Sequence, residues 1–230
     1  MGRALDAGLR RAGVETIAIR ARGAWPDLLG TDIVILAVRD DAITKVAAEN
    51  RARFVGTVVH CSGAMAAREA LAPLTGRCPL GTLHPLLSVA DGADFSGVPF
   101  AVEGEVARAL ALRLGGVPFE IAPEAMPLYH AAAVFAANYV VTLLDVAVRL
   151  ARQAGLPEDA AREALGALAA GAVANVRRLG AAEALTGPIA RGDESIVARH
   201  LAALPEDLKP LYEALAAETR RLAARRATSS

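Results

Sequence analysis

Two polar side chains, His130 and Asn138, lie eight positions apart in a stretch whose other residues are mostly Ala, Val, Leu and Phe. On a continuous helix they differ by about 80° in direction, and Asn138, Thr142 and Asp145 fall within about 40° of one another. Buried polar groups need partners, and those that face a cleft often find one in a ligand. We therefore predict that His130 donates a proton to a reacting oxygen and that Asn138 orients this oxygen. In the alternative, His130 bonds a backbone carbonyl and Asn138 joins two helices.

A single arginine, Arg191, lies in the segment 186–193, which its glycines and proline mark as a turn between helices. An arginine in such a turn is suited to a bidentate grip on a carboxylate. Arg191 is therefore the predicted ligand of a substrate carboxylate, although an acid on a neighbouring helix would serve it equally well. Asp193, at the end of the turn, is predicted to cap the helix that follows.

Arg20 and Arg22 follow a β-rich run at residues 16–20, where dinucleotide-binding domains contact the adenosine ribose. An acid at this point accepts a hydrogen bond from the ribose 2′-hydroxyl, whereas arginine accommodates a 2′-phosphate. No acid stands at positions 20–22. The pattern therefore favours NADP over NAD as the cofactor. Two solvated arginines that follow a strand by chance are the alternative.

Val38 ends the most apolar β-rich run of the chain, at residues 32–38, and Arg39 follows it. The carboxyl ends of parallel strands form the ligand-binding edge of an open sheet. We therefore predict that Val38 and Arg39 bind the cofactor, mainly through their backbone. Asp40 and Asp41 are predicted only to cap a helix that begins at Ala42.

Ser62 and His84 follow the next two β-rich runs, at residues 57–60 and 80–83. They are therefore predicted at the same edge of the sheet. Ser62 could bind the cofactor or a substrate carboxylate, but Ser62 with Gly63 also forms an ordinary turn pair. His84 is a predicted substrate ligand.

Two kinds of structure must position these residues. Up to about residue 121, β-rich runs alternate with helical segments, which is typical of a mostly parallel sheet covered by helices. The β-rich runs lie at residues 16–20, 32–38, 57–60, 80–83, 99–102 and 117–121, and the helical segments at 3–12, 42–53, 65–74 and 105–114. Beyond Pro123, helices are predicted at residues 127–154, 158–178, 193–204 and 209–225. The fold class is therefore α/β with a Rossmann-like sheet at residues 1–122, followed by an all-helical domain at 123–230.

The composition is typical of a globular cytoplasmic protein. The 25 basic and 25 acidic side chains balance, so we expect neither nucleic acid nor a membrane surface as a partner. Cys61 and Cys78 are too few for a disulfide framework and form no C-x-x-C pair, so we expect a reducing compartment and no metal site. The longest apolar stretch, residues 131–148, contains Asn138 and Asp145. It is therefore predicted to be buried in protein rather than in a membrane.

Gly2 precedes a predicted amphipathic helix that has Leu5, Leu9 and Ala12 on one face and ends at Gly13. In a dinucleotide-binding domain, the last glycine of G-x-G-x-x-G opens such a helix. Gly2 is therefore the predicted counterpart of that glycine, with the helix N-terminus as phosphate ligand. The preceding strand, which would lie centrally in the sheet, and the two earlier glycines have no counterpart. We therefore expect weak NADPH binding or none. An ordinary N-terminal helix is the alternative.

Five segments together resemble one protein family. They are DIVILAVRDDAI at 32–43, HCSGA at 60–64, TLHPL at 82–86, YHAAAVFAANY at 129–139 and LTGPIARGD at 185–193. Over nearly its whole length the chain is similar to the DUF2520 family, in which a Rossmann-like domain precedes a helical one.

The resemblance implies an NADP-dependent reductase related to the ketopantoate, hydroxyacid and pyrroline-carboxylate reductases, and a homodimer formed through the helical domain. We then expect hydride transfer between NADPH and the carbonyl or imine carbon of a small carboxylate-bearing metabolite, in the crevice between the two domains. A 2-oxo acid such as ketopantoate is the leading candidate, by analogy with the family alone. The alternative is a non-catalytic helical dimer that retains a degenerate nucleotide-binding domain.

Overall fold

The fold is taken from a computed structural model that describes residues 1–17, 28, 30–88 and 94–227. It divides into two compact units, residues 1–140 and 141–230. The first unit carries the sheet, and the second contains helices. The domain division at residues 122 and 123 remains a prediction.

A five-stranded sheet forms the centre of the first unit. Its strands, in spatial order, are β1 (Ile33–Leu36), β2 (Thr57–His60), β3 (Leu80–Pro85), β4 (Pro99–Glu103) and β5 (Val117–Glu120). Three neighbouring pairs are parallel, and β3 with β4 is antiparallel. The predicted mostly parallel α/β sheet is thus confirmed. The run predicted at residues 16–20 lies largely outside the described residues, as do Arg20 and Arg22.

Helices cover both faces of the sheet because its side chains alternate between two apolar cores. One core combines Leu5 and Leu9 of α1 (Gly2–Arg11) and Leu110 of α4 (Glu105–Arg113) with Val59 and Phe100 of the strands. The other combines residues of α2 (Asp40–Glu49) and the short α3 (Ala67–Ala70), and of the turns that follow them, with Leu36 and Val58. Each large apolar side chain buried in this way contributes about 1.5–3 kcal/mol.

The end of α1 is fixed by Gly13. As predicted, Leu5 and Leu9 are buried on one face of this helix. The backbone of Gly13 has a φ of 75°, a left-handed conformation that glycine adopts without steric cost. This turn brings the Val14 N–H to the Leu9 carbonyl at 2.9 Å. The glycine stop predicted from the sequence is confirmed.

Helix α2 begins at Asp40, two residues earlier than predicted. Arg39 occupies the N-cap position, and no side chain caps the helix there. Asp40 and Asp41 therefore lie in the first turn and do not cap the helix. There, their negative charges interact favourably with the positive end of the helix dipole. The Arg39 guanidinium binds the Asp41 carboxylate through Nη2 at 2.7 Å and Nε at 3.1 Å.

The helix predicted at residues 127–154 is two helices, α5 (Met126–Ala136) and α6 (Asn138–Gln153). They are separated by Ala137, whose φ of −121° and ψ of −69° interrupt the helical backbone. The predicted difference in direction between His130 and Asn138 assumed one continuous helix and is therefore wrong. Within α6, Asp145 binds Arg149 at 3.0 Å, so this member of the predicted polar stripe has a partner in its own helix.

The remaining helices are α7 (Glu158–Leu179), α8 (Ala181–Ala184), α9 (Glu194–Ala203) and α10 (Lys209–Ala227). Gly155, with a φ of 98°, ends α6 where a stop was predicted. The Asp193 carboxylate accepts from the Ile196 N–H at 3.3 Å, which confirms the predicted cap of α9.

Among the described residues, the apolar stretch 131–148 is largely exposed. No part of its most apolar window is buried among these residues. That this stretch is buried in protein, as it would be between two copies of the chain, stays a prediction. By length and composition alone, the helical segment Pro123–Gln153 could cross a membrane. A single segment of this kind is weak evidence for a membrane protein.

Candidate active site at the carboxyl edge of the sheet

Three elements bring polar side chains to one edge of the sheet. Strand β2 ends at His60, strand β3 carries His84 near its end, and the first turns of α5 carry Tyr129 and His130. Parallel strands β2 and β3 point their carboxyl ends to the same edge, which is where open sheets bind ligands. The structure therefore brings together the predicted residues His84 and His130.

His84 and Tyr129 form the closest contact of this site. The His84 Nδ1 and the Tyr129 hydroxyl are 2.8 Å apart, and their rings meet edge to face with centroids 5.6 Å apart. The Tyr129 ring also packs edge to face with Phe119, with centroids 5.9 Å apart. The ring of His130 lies beside His84 with centroids 6.2 Å apart. Tyr129 thus contacts two aromatic rings, and its hydroxyl bonds the imidazole of His84.

Gly63 provides the surface on which the His84 ring lies. A Cβ atom at this position would be 2.7 Å from His84 Cε1 and 2.8 Å from its Nδ1, far below any normal contact. Only glycine therefore allows the imidazole to lie against the backbone after β2. The Ser62-Gly63 pair, predicted as a ligand or a turn, thus has a direct role in placing His84.

Burial keeps both members of the pair uncharged. It lowers the pKa of His84 to about 4, with a further lowering by His130 and an opposing effect of Asp40. Burial also raises the pKa of Tyr129 to about 12. At neutral pH the contact is therefore a hydrogen bond between a neutral imidazole and a neutral phenol.

Beneath this pair, three neighbouring strands carry a row of hydrogen-bonded polar side chains. His60 and Thr82 are opposite one another in β2 and β3, and Thr82 is opposite Glu103 in β3 and β4. The His60 Nε2 lies 3.1 Å from the Thr82 hydroxyl, which donates to Glu103 Oε2 at 3.3 Å. The Ala67 N–H of α3 donates to the same carboxylate oxygen at 2.7 Å. The row ties α3 to the sheet.

The direction of every hydrogen bond in this row follows from one contact. The Ser62 N–H donates to His60 Nδ1 at 3.1 Å, so Nδ1 carries no proton. A neutral His60 must then carry its proton on Nε2 and donate to Thr82, which leaves the Thr82 proton for Glu103. Burial lowers the pKa of His60 to about 4, consistent with the neutral ring. The row therefore fixes the backbone of the Ser62-Gly63 turn.

The Ser62 side chain is buried in its own turn. Its hydroxyl accepts from the Ala64 N–H at 3.1 Å, as the turn interpretation requires. A role for Ser62 toward cofactor or substrate remains a prediction. The neighbouring Cys61 is no candidate nucleophile, because burial raises the pKa of its thiol to about 12.

The predicted cofactor ligands Gly2, Val38 and Arg39 lie at the start of α1 and directly after β1. A Cβ on Gly2 would be 3.4 Å from the Cβ of Ala37, so the two segments are in close contact. The structure thus places Gly2 next to the end of β1. The Arg39 guanidinium is exposed and paired with Asp41.

Asn138 and Arg191, the other two predicted ligands, follow α5 in the chain. Asn138 begins α6, after the interruption at Ala137. Arg191 is an exposed residue of the second unit, in a turn where its N–H contacts the Gly187 and Pro188 carbonyls at 3.3 and 3.2 Å. In the described part of the chain, its side chain forms no ion pair. Both residues remain predicted ligands.

The sequence analysis missed Tyr129 and the polar row. Tyr129 directly precedes the predicted His130 and comes two residues after Pro127, which is typical of a helix start. This position would have allowed the sequence to predict Tyr129 in the first turns of α5. The row depends on the pairing of β2, β3 and β4, because His60, Thr82 and Glu103 are far apart in sequence.

The comparison with family models matches residues 98–219, more than half of the chain, to a domain of unknown function, DUF2520. The chain belongs to the DUF2520 family. The match covers β4, β5 and helices α4–α9 with part of α10, so Tyr129, His130, Asn138 and Arg191 all lie within it. No curated protein matches the chain.

Solved structures share the fold of this DUF2520 protein. TM1727 of Thermotoga maritima superposes with a TM-score of 0.70 at 24% identity, covering 89% of this chain and 81% of its own. BF3122 of Bacteroides fragilis, described as an NADP oxidoreductase, gives 0.74 at 23% identity over 96% and 93%. The NADP-bound pyrroline carboxylate reductase of Plasmodium falciparum gives 0.59 at 12% identity over 97% and 94%. The expected Rossmann-like architecture is thus confirmed.

Proposed function

We propose that this protein is an NADP-dependent oxidoreductase that reduces the carbonyl or imine carbon of a small carboxylate-bearing metabolite. The observation that carries the proposal is the His84–Tyr129 pair, with His130 beside it, at the carboxyl edge of the sheet. Neutral hydrogen-bonding groups held by packing suit the protonation of a reacting oxygen. The fold shared with an NADP oxidoreductase and an NADP-bound reductase supports this assignment.

The described residues fit the phosphates of a dinucleotide at the start of α1. No acidic residue lies in the first turn of this helix, and no side chain caps it. Its first N–H groups and the positive end of its dipole would therefore hold the pyrophosphate. Gly2 allows close approach to Ala37, and Val38 and Arg39 follow at the same edge. Arg20 and Arg22, outside the described residues, are the proposed ligands of the 2′-phosphate.

In the proposed reaction, NADPH supplies a hydride to the substrate carbon. The chain supplies a proton to the substrate oxygen or nitrogen from the start of α5, where Tyr129 and His130 both lie. Asn138 is proposed to orient this atom, and Arg191 to bind the substrate carboxylate. The substrate class includes 2-oxo acids such as ketopantoate and cyclic imine carboxylates.

The protein is further proposed to be a cytoplasmic homodimer formed through its helices. Among the described residues after 140, the buried hydrophobic side chains are Ala161, Val197 and Ala216 alone. In α7, by contrast, Leu168 is 70% exposed and Val173 is 51% exposed. Exposed apolar surface of this extent usually marks an interface. A second copy of the chain is the proposed partner, because most soluble oligomers are symmetric assemblies of identical chains.

The proposal is tested by following NADPH oxidation at 340 nm with a panel of 2-oxo acids and cyclic imine carboxylates. Cofactor concentrations should extend to the millimolar range. We expect turnover that depends on the substrate carboxylate, and R191A should raise KM more than it lowers kcat because it removes a binding group. Cofactor binding with no turnover of any probe would instead favour the alternative, a non-catalytic helical dimer.

A further inference from the structure

The geometry points to Tyr129 as the group that protonates the substrate. We propose that the Tyr129 hydroxyl donates this proton and that His84 sets the direction in which the hydroxyl points. This inference rests on the function proposed above. It replaces His130, the proton donor predicted from the sequence, with its neighbour in α5.

Tyr129 is the better held of the two candidates. Its ring contacts both His84 and Phe119, and its hydroxyl is 2.8 Å from the His84 Nδ1. His130 contacts the cluster through ring packing against His84. A catalytic group must be fixed to a fraction of an ångström to be effective. Tyr129 meets this requirement by a hydrogen bond and two ring contacts.

His84 is in turn fixed by the strands beneath it. Gly63 supports its ring, and the His60–Thr82–Glu103 row fixes the turn that contains Gly63. The backbone at Gly63 therefore supports the imidazole, and the Tyr129 hydroxyl bonds its Nδ1. This arrangement gives the hydroxyl a defined position before any substrate arrives.

The tautomer of His84 decides what the hydroxyl can do. A neutral imidazole carries one proton, on Nδ1 or on Nε2. If the proton is on Nδ1, this nitrogen donates to the Tyr129 oxygen, and the phenolic proton is free to point at a substrate. If it is on Nε2, the phenolic proton is directed to Nδ1 and is not available. The proposal therefore requires the Nδ1–H tautomer.

The low pKa of His84 and the high pKa of Tyr129 support these protonation states at neutral pH. A phenol that keeps its proton over this range can still protonate an alkoxide, because an alkoxide is the stronger base. Among the described residues, the hydrogen bond at Nδ1 is the only one to the His84 ring. No buried side-chain nitrogen or oxygen there lacks a partner, so Nε2 is in contact with solvent.

The proton balance of the step is closed by solvent. As hydride adds to the carbonyl carbon, the C=O π pair moves to oxygen, and this oxygen takes the Tyr129 proton. The Tyr129 oxygen then takes a proton from water, while His84 keeps its Nδ1 proton throughout. Each turnover thus consumes one hydride from NADPH and one solvent proton, and yields an alcohol and NADP⁺.

The tautomer can be measured without activity. Long-range ¹H–¹⁵N spectra of ¹⁵N-histidine-labelled protein between pH 6 and 8 show which ring nitrogen is protonated, and H84Q identifies the His84 signals. We expect a neutral ring with its proton on Nδ1. In Y129F, which keeps the packed ring but removes the acceptor, the proton should move to Nε2. A proton on Nε2 in the parent protein would overturn the proposal.

Activity then separates this inference from the proposed function. With any probe that the parent reduces, Y129F should lower kcat by about 10²- to 10⁴-fold with little change in KM. The matched control is Y212F, because the Tyr212 hydroxyl bonds His200 at the same 2.8 Å in the helical unit. Y212F should keep the parental rate and the His84 tautomer.

Two outcomes contradict Tyr129 as the donor while leaving the reductase assignment intact. They are an unchanged kcat in Y129F, and a loss confined to H130Q. Thermal unfolding of each variant shows that the loss does not come from misfolding. If no probe is reduced by the parent, the proposed function fails, and the tautomer alone then supports or overturns the role of His84.

Discussion

His60 and His84 show how one buried ring type serves two purposes at this sheet edge. His60 has both nitrogens bonded to groups of its own chain, the Ser62 N–H and the Thr82 hydroxyl, so it is a structural residue. His84 has one nitrogen bonded to Tyr129 and the other in contact with solvent. The difference in partners separates the residue that positions the turn from the residue proposed to act in the reaction.

Both rings make the stability of the protein depend on pH. The pKa of each is lowered to about 4 from an ordinary 6.5, chiefly by burial. Between these values the unfolded chain takes up protons that the folded chain does not, so the folded state loses stability as the pH falls. The contribution of the two neutral rings to the stability of the folded state is fully present above pH 6.5 and is lost as the pH falls toward 4. We expect a decrease of at most about 3 kcal/mol for each ring in the free energy of unfolding.

Urea unfolding at intervals between pH 7 and 4 measures this effect. H60Q and H84Q should each remove about half of the pH dependence, because glutamine does not titrate. H200Q is the control, since His200 is an exposed residue of α9. Equal pH dependence in the parent, H60Q and H84Q would show that these rings are not neutral in the folded state.

At the scale of elements, much of the fold could be predicted because its signals are local. Five of the β-rich runs became strands, and glycines at positions 13 and 155 ended helices as expected. The interruption between α5 and α6 could not be predicted in this way, because it falls at Ala137 and no glycine or proline marks it. The predicted angle between His130 and Asn138 failed for this reason.

The candidate site was predicted only in part, since its geometry depends on contacts between distant segments. His84 was predicted because it follows a β-rich run, and His130 because it lies in an apolar helical stretch. Both signals are local. The polar row required the pairing of three strands, and the Tyr129 contact required α5 to lie against β3. Neither is visible in the spacing of residues.

The end of α1 gives a test at this scale. The substitution G13A should lower the free energy of unfolding by about 1 kcal/mol, because alanine at a φ of 75° is strained even though the space around it is open. G13N should cost less, since asparagine tolerates this conformation better. Urea unfolding measures both. If G13A were as stable as the parent, the left-handed turn after α1 would not contribute to stability.

For the whole molecule, the exposed apolar helices predict self-association. We expect a dimer by sedimentation at micromolar concentration, and L168E in α7 should convert it to a monomer because it places a charge in the proposed interface. The matched control is L112E in α4, where Leu112 is also exposed but belongs to the sheet-bearing unit. A monomeric parent, or dissociation by L112E and not by L168E, would contradict the helical interface.

The central claim, an NADP-dependent reductase, is tested most directly by the ratio of the dissociation constants for NADPH and NADH. Ligand-observed NMR titration covers the micromolar to millimolar range, so the ratio can be measured even when binding is weak. We predict that NADPH binds at least about tenfold more tightly, since charge-assisted bonds to a 2′-phosphate contribute about 1.5–3 kcal/mol each. Replacement of Arg20 and Arg22 by alanine should abolish this preference. Equal affinity for the two dinucleotides would contradict the account.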